Sequence, residues 1–67
     1  MKYYIVEIQG MQDGSFAHLV YTADTMNNAE SIYYDKLHYA AVSNLPIHTV
    51  FLLDSDGAMY QSKTYNH

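Results

Sequence analysis

Four histidines, His18, His38, His48 and His67, are the first residues in the chain that could do chemistry, as metal ligands or proton carriers. None is paired at the i, i+4 helical spacing or the i, i+2 strand spacing that makes a ready-made metal site. The first three fall on different predicted elements, and His67, as the final residue, is expected to be mobile. They read as ordinary surface or interface histidines, with no metal site. The serines at 15, 31, 43, 55 and 62 sit in predicted caps, turns or exposed helix positions, and no nucleophile-elbow pattern surrounds them. Asp54 and Asp56 flank a predicted tight turn, where carboxylates serve the backbone. The chain has no glycine-rich phosphate loop and no cysteine. These residues predict a protein that binds without catalysing, and without a cofactor.

The residues best suited to binding are clustered between Glu30 and Tyr39. Tyr34 and His38 lie one helical turn apart, as do Asp35 and Tyr39, so each pair shares a helix face. Pointing away from a sheet, they form a polar-aromatic stripe, which is either a solvated face or a contact surface. Aromatic side chains are poor solubilisers and common in interfaces, so Tyr33, Tyr34, His38 and Tyr39 are the first candidates for ligand contact. Tyr3, Glu7 and His18, assigned to the second face of the sheet, are the alternative. The chain's eight tyrosines support an interface reading, since a core this small cannot hide them all.

The elements that position these residues follow from pattern. Lys2 to Gln9 is β-branched and aromatic, Gly10 to Ser15 is a turn, and Phe16 to Ala23 is a second strand. A helix is expected from about Asn28 to Ser43, started by Thr25 or Asn27, with Glu30 completing a capping box on Asn27. Ala29, Ile32, Tyr33, Lys36, Leu37 and Ala40 face the sheet, with Lys36 snorkelling at the edge. Asn44 and Pro46 end the helix. Ile47 to Asp54 and Ala58 to Tyr65 are the last two strands, joined through Asp56-Gly57, the final one at an edge. The fold class is therefore α+β: ββαββ, an antiparallel-rich four-stranded sheet with one helix on one face.

Alternation separates Tyr4, Val6 and Ile8 from Tyr3, Ile5 and Glu7. It likewise sets Ala17, Leu19 and Tyr21 against Phe16, His18 and Val20, and His48, Val50 and Leu52 against Ile47, Phe51 and Leu53. Val6 and Leu52 are placed beneath the helix. Both sheet faces come out substantially apolar, and one helix covers only one of them. A homo-oligomer, most simply a two-fold dimer, would bury the other.

Sixty-seven residues make a single domain, 1–67, of marginal intrinsic stability, which association can supplement. The apolar run at the N-terminus is broken by Glu7 and Gln9, too short for a signal peptide or membrane span. Lack of cysteine fits a reducing cytoplasm. Seven acids against three lysines give a net charge of −4, and Lys2, Lys36 and Lys63 are far apart, so direct binding of DNA or RNA is disfavoured.

Lys-Tyr-Tyr-Ile-Val-Glu-Ile-Gln (2–9), Ala-Glu-Ser (29–31), Tyr33, Ala-Ala-Val-Ser (40–43) and His48 after Leu45-Pro46 together resemble a family of small uncharacterised proteins of phages and prophages of Firmicutes. The likeness spans nearly the whole chain and carries no catalytic signature. Members often have Lys-Tyr-His after Ala-Glu-Ser where this chain has Ile32-Tyr33-Tyr34, so no role of that histidine is carried over. The resemblance implies a viral accessory protein in the cytoplasm of the bacterial host. It would counter immunity by sequestering a nucleotide-like signal at subunit interfaces or by blocking a host defence protein. A structural or regulatory phage component is the third possibility.

Overall fold

The computed structural model describes all of residues 1–67. Strands β1 (Tyr3–Gly10) and β2 (Phe16–Ala23) form a hairpin, helix α1 (Met26–Ala41) follows, and β3 (Ile47–Asp54) and β4 (Met59–Asn66) form a second hairpin. The sheet order is β2-β1-β3-β4, antiparallel throughout, so α1 carries the chain from one edge across β1 to β3. The expected ββαββ order holds, with β4 at an edge and β2 at the other. No helix is long and apolar enough to cross a membrane.

Each turn is built by a short acid and a glycine. In the first, Asp13 Oδ1 accepts from the Ser15 amide at 2.9 Å and the Ser15 hydroxyl at 2.6 Å, and Gly14 takes a φ of 90°. In the second, Asp54 Oδ1 accepts from the amides of Asp56 and Ala58, and Gly57 sits at φ 88°. The other oxygen of Asp54 accepts from the Tyr60 hydroxyl at 2.6 Å. That bond, more than any other contact, lowers the Asp54 pKa and raises that of Tyr60 to about 12.

The helix starts two residues earlier than its pattern suggests. Thr25, in extended backbone, accepts from the Asn28 amide at 3.2 Å and is the N-cap. The box proposed between Asn27 and Glu30 does not form, because Asn27 is already inside the first turn. The helix also ends earlier, at Ala41. There the Ala40 carbonyl accepts from the Ser43 amide and lies 3.0 Å from His67 Nε2. His67 is thus tied down, its ring stacked on Tyr65 and its amide bonded to Pro46 O.

Buried Ile5, Ala23, Ala29, Tyr33, Ala40, Val50 and Leu52 form the core between helix and sheet. Ala29 and Ala40 bring the helix backbone close to the strands, and Tyr33 fills the space between. The register corrects one assignment. Leu52 is opposite Ile5, so it is Ile5 that shares its place under the helix; Val6 pairs with Val20 and Phe51 on the uncovered face.

Candidate binding surface

The helix-face candidates separate once the helix is docked. Tyr33 is 2% exposed and belongs to the core, where burial raises its hydroxyl pKa; it is not available to a ligand. Tyr34 is exposed, and its hydroxyl donates to Gln61 Oε1 on β4 at 3.2 Å. Tyr39 is also exposed but leans the other way. The Lys36 ammonium lies 5.9 Å from its ring and 4.5 Å from that of Tyr21 on β2. His38 is exposed, edge-on to Tyr39. Tyr34, His38 and Tyr39 therefore span the helix's outer surface from the β4 side to the β2 side.

The alternative trio divides between faces. Tyr3 packs against Tyr60 with ring centres 6.2 Å apart, on the helix side. Glu7 is also on the helix side, opposite Leu19 and Val50, whereas His18 is exposed on the other face, opposite Ile8. Tyr3, Glu7 and His18 cannot form one site on the second sheet face, because odd and even positions of an antiparallel pair point opposite ways.

Glu7 has a partner that the sequence pattern did not reveal. Its Oε2 lies 2.6 Å from His48 Nε2, with Glu7 only 4% and His48 3% exposed; the Tyr21 hydroxyl reaches Oε1 at 3.5 Å. So short a contact holds one proton between nitrogen and carboxylate. The second ring nitrogen, Nδ1, is buried and meets no partner, so a proton placed there would be a donor without an acceptor. A carboxylate-imidazole pair can act as a base where its free nitrogen faces a substrate. Here the free nitrogen is buried and out of contact with solvent. The pair ties β1 to β3. Alternation sets Glu7 in phase with Ile5 and His48 with Val50 and Leu52, but does not say that these phases turn inward together.

The face away from the helix has the opposite character. Tyr4, Val6 and Ile8 of β1 lie beside Phe16 and Val20 of β2 and Ile47, Phe51 and Leu53 of β3, with Met59 on β4. Phe16 is 58% and Val20 59% exposed. The remaining residues of this face are Gly10, His18, Thr22, Thr49, Ser62, Thr64 and Asn66, so it carries no aspartate, glutamate or lysine. The charged strand residues Glu7, Asp54 and Lys63 all share the helix side. The molecule thus pairs a covered face that holds acids and a lysine with an uncovered face that holds neither. No His, Cys, Asp and Glu grouping suited to a metal occurs.

Compared with protein-family models, with curated proteins and with solved structures, the chain matches none.

Proposed function

We propose that the chain is a non-enzymatic binding protein, working as a homo-oligomer, whose uncovered sheet face is its contact surface for another protein. The observation that carries this reading is the charge-free apolar face, because soluble proteins seldom leave so contiguous a patch in water. With the resemblance to phage accessory proteins, the partner is a host defence protein, and the activity is suppression of bacterial immunity inside the host cell.

The surface chemistry favours a protein partner over a nucleotide-like signal. A phosphorylated ligand needs converging cations, whereas the three lysines are dispersed and engaged. Lys2 lies 3.3 Å from Asp24, Lys36 lies over Tyr21, and Lys63 lies over Tyr65. A flat face of aliphatic and aromatic side chains suits another protein's apolar surface.

The test is phage plating on bacteria with an active defence, with and without the protein. Wild type should raise plating efficiency. The double variant Val6→Thr/Phe51→Thr, shown to be folded by circular dichroism, should lose that effect, while Tyr34→Ala/His38→Ala should keep it. A folded face variant with full suppression, or a wild type that suppresses no defence, contradicts the proposal. Release of a nucleotide from protein purified out of infected cells and then denatured would instead establish sequestration.

A further inference from the structure

The two edges of the sheet are protected unequally. β4 carries a bulge opposite Leu52 and Leu53 and a lysine at its middle, both of which discourage a further strand from pairing there. β2 has neither device. Its eight residues, Phe-Ala-His-Leu-Val-Tyr-Thr-Ala, include no charge, proline or glycine, and it pairs only with β1. It exposes apolar side chains on both sides: Phe16 and Val20 on the uncovered face, and Leu19, 44% exposed, on the helix side.

The hydrogen-bond ladder shows which backbone groups of β2 are unmet. The Met11 amide donates to Ser15 O at 2.8 Å, and the Ser55 amide donates to Lys2 O at 2.9 Å. Odd positions of β1 therefore bond toward β2 and even positions toward β3. In β2 the odd positions face β1, and Phe16, His18, Val20 and Thr22 direct their amides and carbonyls outward.

We infer that β2 pairs antiparallel with β2 of a second copy, across a two-fold axis at Leu19. Only outward-facing residues can exchange hydrogen bonds, so even positions must oppose even positions. Both helices then lie on the same side of one eight-stranded sheet. Centring the axis on Leu19 gives every outward residue a partner: Phe16 opposes Thr22, and His18 opposes Val20. Centring on His18 leaves Thr22 unpaired, and centring on Val20 leaves Phe16 unpaired. On the helix side Leu19 meets its own copy, and Ala17 makes room for Tyr21. A foreign peptide would have to match this pattern of large and small side chains, whereas a second copy matches it by symmetry. No formal charge enters the seam, which matters for a chain of net charge −4. A two-strand seam is smaller than the ~800 Å² per partner of a standard interface, so the dimer should depend on concentration.

This seam is independent of the partner surface proposed above, except that it joins two uncovered faces into one continuous face. Leu19 meets its copy at a non-hydrogen-bonded position, with Cα atoms about 4.5 Å apart, within reach of a disulfide. As the chain has no cysteine, Leu19→Cys gives a single reporter. On mild oxidation at micromolar concentration it should link into a dimer, while Lys63→Cys on the opposite edge should stay largely unlinked. His18→Pro removes an outward amide that β1 does not use. By sedimentation velocity it should remain monomeric where wild type dimerises. Val6→Thr/Phe51→Thr should leave the Leu19→Cys link intact, which separates failure of the seam from failure of the partner surface. Equal linking of the two cysteine variants, or a wild type that stays monomeric throughout, overturns the inference.

Discussion

The two faces of the sheet invert the usual distribution of charge. The face under the helix buries a carboxylate, an imidazole and the turn carboxylate Asp54, each fixed by side-chain hydrogen bonds. The face left open offers no formally charged acid or lysine to water. Burial of polar groups costs free energy unless they are paired, and exposure of contiguous apolar surface costs solubility. The first cost is met inside the chain by the Glu7–His48 and Asp54–Tyr60 contacts. The second is met by nothing within the chain, and that is why a covering protein surface is proposed.

The largest contrast is expected between a charge introduced beneath the helix and a polar group introduced on the open face. Ile5→Asp or Leu52→Asp places an unpaired carboxylate beneath the helix. This costs several kcal/mol against a stability that is small for a domain of this size, and circular dichroism should show an unfolded chain. Val6→Thr, one position along β1 on the open face, should keep a cooperative melt.

Next in size is the buried pair. Glu7→Ala leaves His48 enclosed without its partner and should cost about 3 kcal/mol or more, measured by urea unfolding. Replacing both residues together, Glu7→Met with His48→Leu, should recover most of that loss. Recovery would identify the pair as structural; a double variant as unstable as the single one would show that the site needs its polar groups.

A smaller effect is expected at the second turn, through pH. The Asp54 pKa is lowered when folded, so its contribution is present above its unfolded pKa and is lost as pH falls through the acid range. The Tyr60 pKa is raised to about 12, so its contribution is complete below its unfolded pKa of about 10 and is lost as pH rises from there toward 12. Tyr33, raised by burial, adds to the alkaline loss. Melting temperature against pH should fall at both ends. Tyr60→Phe should flatten both limbs without removing the alkaline one.

The smallest effect belongs to the outer helix. Tyr34→Ala and His38→Ala lie at exposed positions and should each change stability by less than about 0.5 kcal/mol, read from thermal melts.

Much of this arrangement was legible in the sequence. Period-two alternation, the Asp-Gly turn and the Ala29, Tyr33, Ala40 stripe locate five elements and the helix's inner face. What alternation cannot give is which phase of a strand turns inward. Tyr4-Val6-Ile8 is more apolar than Tyr3-Ile5-Glu7, so hydropathy alone sends Val6 into the core. Only the pairing of Glu7 with His48, 41 residues away, makes the other phase acceptable. Splitting the Tyr3, Glu7 and His18 trio follows from the same register. The open face was legible as a surplus of apolar positions, which the sequence assigned to oligomer contact and not to ligand binding, and its lack of acids and lysines emerged only when the registers of all four strands were known.

The most direct test is hydroxyl-radical footprinting read by mass spectrometry, comparing dilute purified protein with the protein inside infected, defence-competent cells. Tyr4, Phe51 and Met59 report on the open face, and Tyr34 and Tyr39 on the outer helix. Burial of the open face against a host protein predicts strong in-cell protection of the first three with little change in the last two. Equal labelling of Tyr4, Phe51 and Met59 in both settings, or protection confined to Tyr34 and Tyr39, would contradict it.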